Sequence, residues 1–236
     1  MDNTILFIIL GILVVAVVGL GLYVFYQHRR LNSNEIVQVP ALPECNTFLQ
    51  NLDWRRAVKH FSPGAIDYQP ILKAIQNAPS SFGLQPYKVI ILTNAALKKD
   101  IQPFCFNQPQ ITECEVLLVF CAIKNVEARA EEFITTSGND GMRDMITGFI
   151  QNIPDKVEWA KKQAYLALGF ALAAATELKI ASCPMEGFMQ DKVIEILAPD
   201  PNYIPCVFLA LGRENTGDKL QPKFRFPTDN LFHLED

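Results

Sequence analysis

The stretch from Ala164 to Ala175 (Ala-Tyr-Leu-Ala-Leu-Gly-Phe-Ala-Leu-Ala-Ala-Ala) is apolar almost all round, inside a helical pattern that runs from Asp155 to Leu178. A helix with no polar face must be covered on every side, either by protein or by lipid. Its apolar part is 12 residues long and is flanked by Lys161, Lys162, Glu177 and Lys179, too short a run to cross a bilayer. The pattern therefore predicts a central core helix of about six turns, with a face suited to a subunit contact. Next come a short strand, Lys179 to Ser182, and the string Cys183-Pro184-Met185-Glu186-Gly187-Phe188. Proline fixes φ and removes a donor, glycine lets another group come close, and the amides between lack obvious partners. Such a strand end presents main-chain N–H groups to a flat, electron-rich heterocycle.

A second apolar segment is of a different kind. Ile5 to Tyr26 is 22 residues without a charge. At about 1.5 Å per residue it reaches roughly 33 Å, enough for a bilayer core of about 30 Å. A cleaved signal peptide would carry positive charge before a shorter apolar core, whereas Asp2 precedes this run and His28-Arg29-Arg30 follow it. The run is expected to be an uncleaved anchor. Arg29 and Arg30 then stay cytoplasmic, making this a single-pass membrane protein whose large domain faces the cytoplasm. Residues 1–30 are read as the anchor and its basic flank, 31–44 as a proline-punctuated linker, and 45–236 as the folded domain.

Charge and cysteine usage exclude several classes. The formal net charge is −4 and no lysine- or arginine-rich run is present, which argues against nucleic acid. The six cysteines form no CxxC pair, and Cys121 and Cys206 sit in apolar strand-like runs, as buried free thiols do in a reducing compartment. With three histidines, no metal site or histidine-based triad is expected. Gly19-Leu-Gly21 lies in the anchor and so is no dinucleotide-binding turn. No P-loop, GxSxG or HExxH occurs, and Glu131-Glu132 and Asp140/Asp144 read as solvated surface.

Within the domain, helices and strands alternate. Phe48, Leu49, Leu52 and Trp54 have helical spacing, and Arg55, Arg56 and Lys59 are expected to end that helix. Tyr68 to Ala78 is an amphipathic helix. Val89 to Thr93, Val116 to Ile123 and Cys206 to Leu211 are nearly unbroken apolar runs, expected to be strands covered on both faces. Val126 to Ile153 reads as weaker helices around a Ser137–Gly141 turn. A loop, Ala78 to Tyr87, carries Pro79, Ser80, Ser81, Gln85 and Pro86, whose hydroxyl and amide groups suit a sugar-alcohol chain or a ring edge. Arg55, Arg56 and Lys59 form one basic cluster and Lys223 and Arg225 another. Brought together they would hold a dianionic phosphate.

From about Leu52 to Pro227 these pieces resemble, in order and spacing, the FMN-dependent NAD(P)H nitroreductases, and among them the oxygen-insensitive, enteric-type branch. The resembling segments are Arg55-Arg56-Ala57-Val58-Lys59, Pro79-Ser80-Ser81 with Gln85-Pro86, Phe106-Asn107, Trp159 with Lys162 to Leu166, Pro184 to Phe188, and Lys223 with Arg225. The resemblance implies an α+β fold with a central, mainly antiparallel sheet flanked by helices. It also implies a homodimer with FMN at the interface. Arg55, Arg56, Ala57, Lys59, Asn107, Pro184, Met185, Glu186, Gly187, Lys223 and Arg225 would surround the cofactor, and Pro79, Ser80, Ser81 and Gln85 would reach the FMN held mainly by the other subunit. Hydride would pass from NAD(P)H to N5 of the flavin and on to a small acceptor such as a nitroaromatic or quinone, in ping-pong turnover. No catalytic acid or base is implied, and Glu186 is expected to serve through its backbone and a structural contact rather than as a proton donor. Two departures stand out: Ala57 replaces a serine that contacts FMN, and the helical roof, Asn125 to Glu158, is shorter, with Met145, Ile146 and Phe149 as its nearest gate residues. The alternatives are an iodotyrosine-deiodinase-like dehalogenase, whose lid pattern is not evident, and a flavin-binding module without turnover.

Overall fold

The computed structural model describes residues 47–197, 200–217 and 219–235. The expected anchor at 5–26 and the linker at 31–44 lie outside the described residues. Among the described residues no helix is long and apolar enough to cross a membrane. The chain divides into two units, the larger spanning Glu44–Pro222, and the C-terminal residues Lys223–Asp236 belonging to the smaller.

In the larger unit the described elements are α1 (Thr47–Trp54), β1 (Phe61–Ser62), α2 (Gln69–Gln76), β2 (Tyr87–Leu92), α3 (Ala95–Ile101), α4 (Gln110–Glu113) and β3 (Val116–Ile123). They continue with α5 (Val126–Ser137), α6 (Arg143–Gln151), α7 (Lys156–Glu177), β4 (Ala181–Met185), α8 (Gln190–Leu197) and β5 (Tyr203–Glu214). The strands form one sheet in which β2, β3 and β5 lie side by side and β4 and β1 both pair with β5. All these pairings are antiparallel, as expected, with Val119 opposite both Ile90 and Phe208. The sheet's register shifts at a bulge between Phe120 and Cys121.

β3 is buried along its whole length. Because successive strand residues point to opposite faces, its side chains divide between two cores. Leu117, Val119 and Cys121 pack with Ile101, Ile111 and Val193, from α3, α4 and α8. Val116, Leu118 and Phe120 pack with Ile71 and Ile75 of α2 and with Ala164, Ala167, Leu168, Ala171 and Ala175 of α7. The alanines let α7 lie close against the sheet, which is why an almost featureless apolar helix occurs at this place. A third cluster joins Ile134, Ile146 and Ile150 of α5 and α6 to Ala160.

Local signals set the helix ends. The carboxylate of Asp155 accepts from the Glu158 N–H at 2.9 Å and starts α7, while Asn94 and Asn125 cap α3 and α5 in the same way. Gly138, at φ 69°, closes α5 in the left-handed conformation that glycine adopts without strain. Two expectations shift. α1 stops at Trp54, so Arg55, Arg56 and Lys59 do not end a helix but follow it in an extended segment. β4 spans Ala181–Met185 rather than Lys179 to Ser182, so Lys179 and Ile180 precede the strand and Pro184 and Met185 lie within it. In the smaller unit, a single 3₁₀ turn spans Thr228–Asn230, and the rings of Phe224 and Phe226 meet edge to face at 5.1 Å.

Candidate functional site

β4 is bonded to β5 along one edge, and its other edge is only partly covered. Ala57 forms a parallel bridge with Ser182, and the Val58 N–H donates to the Ser182 carbonyl at 3.1 Å. Pro184 has no N–H to continue that pairing, so the strand edge opens at this point. Just beyond it, the N–H groups of Glu186 and Gly187 have no hydrogen-bond acceptor among the described residues. The Phe188 N–H donates back to Glu186 O at 3.0 Å, and the Met189 N–H to Phe104 O at 2.8 Å. Phe188 itself stacks on Phe208 with ring centroids 4.2 Å apart, which ties the turn to the core.

Phe106 and Gln108 stand against this turn, with Asn107 between them in the chain. Phe106 and Asn107 have positive φ, 55° and 52°, and they follow the 3₁₀ turn Gln102–Cys105. A Cβ on Gly187 would come 3.1 Å from Gln108 Nε2 and 3.4 Å from Phe106 Cδ2, so any larger residue would press on both side chains. Gln108 Nε2 donates to Gly187 O at 2.9 Å and to Cys105 O at 3.0 Å. From the other side, Lys59 Nζ donates to Cys183 Sγ at 3.4 Å. The structure thus brings Lys59 and the Phe106–Gln108 segment, which carries the exposed Asn107, to the strand end at Pro184 to Gly187. Two amide N–H donors, an exposed carboxamide and an ammonium form a donor set that fits the polar edge of an anionic heterocycle such as FMN.

The remaining sequence-derived residues divide. Arg56 folds back, and its guanidinium donates to the carbonyls of Asp53 (2.6 Å), Trp54 (3.1 Å) and Arg55 (3.0 Å), closing the end of α1. Its Nη1 nitrogen is engaged by the helix end. Arg55 is half-buried and near enough to Cys183 to favour the thiolate. Ala57 is exposed beside β4. In the loop, Ser80 Oγ accepts from the Gln85 N–H at 2.9 Å, and Gln85 Nε2 donates to Gln76 O at 2.8 Å. The Ser81 N–H donates to Gln163 Oε1 at 3.0 Å. These groups hold the loop to itself and to α7, and no hydrogen bond among the described residues joins it to the Lys59–Gly187 set. Lys223 and Arg225 belong to the smaller unit, where the Arg225 guanidinium donates to Phe224 O at 2.6 Å.

The Glu186 carboxylate makes a structural contact, accepting from the Tyr165 hydroxyl at 2.6 Å. Burial and that carboxylate push the Tyr165 phenol above its usual range. Sequence reasoning had Tyr165 only as part of a motif and missed Gln108, Gln110 and the bonding role of Cys183. Gln108-Pro109-Gln110, directly after Phe106-Asn107, was the available signal. In the roof, Ile146 is fully buried and cannot gate anything. Met145 is exposed, and Phe149 packs edge-on against Phe82 (5.1 Å) and Trp159 (6.0 Å).

Fold and site together define a member of the nitroreductase family, which matches residues 52–213 of this chain. Among its relatives, a Staphylococcus haemolyticus protein named "Putative NAD(P)H nitroreductase" is 31% identical over 202 residues, covering 74% of this chain and 93% of that protein. Among solved structures, a Bacillus subtilis "putative nitroreductase" superposes with a TM-score of 0.73 at 20% identity, over 80% of this chain and 98% of that one. A "putative nitroreductase in complex with FMN" from Exiguobacterium sibiricum gives 0.68 at 19% identity, over 80% and 98% of the two chains.

Proposed function

We propose that this chain is an FMN-dependent oxidoreductase of the enteric nitroreductase type that takes hydride from NAD(P)H and reduces a small acceptor such as a nitroaromatic or a quinone. The observation that carries the reading is the open end of β4, where the Glu186 and Gly187 N–H groups lack acceptors among the described residues, with Lys59 bonded to Cys183 nearby. FMN, when bound, would supply two-electron transfer from nicotinamide to acceptor, the two using one place in turn. The residues hold and orient. The two amides would hydrogen-bond the ring edge, Asn107 its carboxamide-like side, and Lys59 would lay positive charge beside it. Because these donors are fixed by strand and turn, they need no rearrangement as charge develops. Arg55 is assigned to the phosphate, as are Lys223 and Arg225 on the strength of their motif.

A homodimer completes the proposal. α7 exposes Leu166 (42%) and Phe170 (39%) one turn apart, with Gly169 between them open to a neighbour. A helix that is otherwise core would hide this stripe against a second copy. The same proposal places residues 5–26 in a membrane and the domain, 45–236, on the cytoplasmic side.

An absorbance spectrum of the purified protein tests the activity. A flavin band that bleaches anaerobically with NADH or NADPH is expected. A protein with no flavin, or a flavin that never bleaches, would sink the oxidoreductase. Halotyrosine that binds and quenches the flavin would point to the dehalogenase instead. The paired substitution Lys223→Ala and Arg225→Ala is expected to weaken FMN retention about 10-fold or more while the melting temperature stays put.

A further inference from the structure

Cys183 has no part in the function proposed above, yet it lies at the centre of the site. It is fully buried, and three groups surround its sulfur. Lys59 Nζ donates to Sγ at 3.4 Å, Gln110 Nε2 approaches it at 3.9 Å, and the thiol points back to the Pro184 carbonyl at 3.7 Å. Gln110 is 1% exposed, and its Oε1 has no hydrogen-bond partner among the described residues. Its Nε2 also donates to Gln108 Oε1 at 3.0 Å, and Gln108 Nε2 donates to Gly187 O at 2.9 Å. A chain of contacts therefore runs from the Lys59 ammonium through Cys183, Gln110 and Gln108 to the turn that carries the two unpartnered amides.

We propose that Cys183 is a positioning residue that holds the Lys59 ammonium at the flavin edge without neutralising its charge. The inference rests on the flavin reading above. Lys59 is exposed and has four rotatable bonds, so without an anchor its charge would be spread over many positions. A carboxylate at position 183 would anchor it but would cancel the charge by forming an ion pair. A thiol anchors it and stays neutral: burial pushes the Cys183 pKa up, opposed only in part by Lys59, Gln110 and Arg55. The full positive charge is then left to favour the reduced, more negative flavin over the oxidised one. Gln110 and Gln108 fix the sulfur and the turn relative to each other, so that ammonium and amides act on one ring at a set spacing.

The experiment measures the affinities of the full-length protein for oxidised and reduced FMN, with the midpoint potential read by spectroelectrochemistry. Cys183→Ala is expected to lose about 10-fold of the preference for reduced flavin, about 30 mV for a two-electron couple. Cys183→Ser, whose hydroxyl also accepts from an ammonium, is expected to restore most of it. In a Lys59→Met background, Cys183→Ala should change nothing further. Cys183→Val, which fills the space without an acceptor, replaces the alanine variant if that protein does not fold. An unchanged preference in Cys183→Ala, or the same shift with Lys59 already removed, overturns the positioning role while leaving the flavin site standing. A wild-type protein that binds no FMN overturns the flavin reading itself, and this inference with it.

Discussion

Arg55 and Arg56 are neighbours of one chemical type, and the fold gives them different surroundings. Arg56 satisfies three carbonyls at the end of α1, each of which would otherwise face solvent or nothing. Its replacement by alanine is expected to cost about 1 kcal/mol in urea denaturation and to leave FMN affinity within about threefold of wild type. Arg55→Ala, in contrast, is expected to weaken FMN by about 10-fold or more with little loss of stability. Equal effects of the two variants on FMN would show that the capping geometry does not separate them. No local sequence signal distinguishes the pair. The choice depends on the chain leaving the helix at Trp54 and turning to lie along Ser182, a contact made more than a hundred residues away.

At the level of elements, α7 was legible almost to its ends, because its cap, its alanines and its flanking charges are all local. The whole of β3 was legible for a related reason: eight apolar residues buried on both faces leave no alternation to misread. β4 was expected to be shorter, because its last residues owe their strand geometry to the pairing of Met185 with Phe208 rather than to their own propensity. β5 was likewise longer than its apolar centre, since Arg213 and Ser62, and Glu214 and Phe61, pair at its end. Gly212 marks that end. A Cβ there would lie 2.8 Å from Phe61 Cδ1 and 3.3 Å from the Glu115 backbone nitrogen. Gly212→Ala is therefore expected to destabilise by about 1–3 kcal/mol, with the denaturation midpoint as the measure, and Phe61→Leu in the same chain should recover part of it.

For the molecule as a whole, two properties follow from what is buried and what is not. The Leu166 and Phe170 stripe predicts self-association. Leu166→Glu with Phe170→Glu is expected to turn a dimer into a monomer in sedimentation, and a wild-type chain already monomeric at micromolar concentration would remove the dimer from the reading. The second property is alkaline sensitivity. The five described cysteines carry free thiols, and burial pushes Cys105 and Cys121 up to about 12 and Cys114 and Cys206 up to about 11. In the unfolded chain these thiols ionise near pH 8.5, so above that pH the unfolded state loses protons that the folded state keeps. Their contribution is intact below about pH 8.5 and falls by about 1.4 kcal/mol per pH unit for each thiol until its folded pKa is reached. Urea midpoints measured at pH 8 and pH 10 are expected to drop sharply, and Cys→Ser at an interior position should shallow the slope; equal midpoints would contradict the burial of these thiols.

By itself the sequence determined the elements: a central alanine-rich helix, apolar strands covered on both faces, and a proline–glycine strand end unlike anything around it. These are local patterns, because periodicity, caps and breakers act over a few residues. Only the tertiary structure decided which donors remain for a ligand. It spent Arg56 on a helix end, buried Ile146 and gave the Glu186 carboxylate to Tyr165, while Lys59 was set against the neutral Cys183 thiol. A side chain's availability is what is left after its neighbours in space have been satisfied, and those neighbours lie far away in the chain.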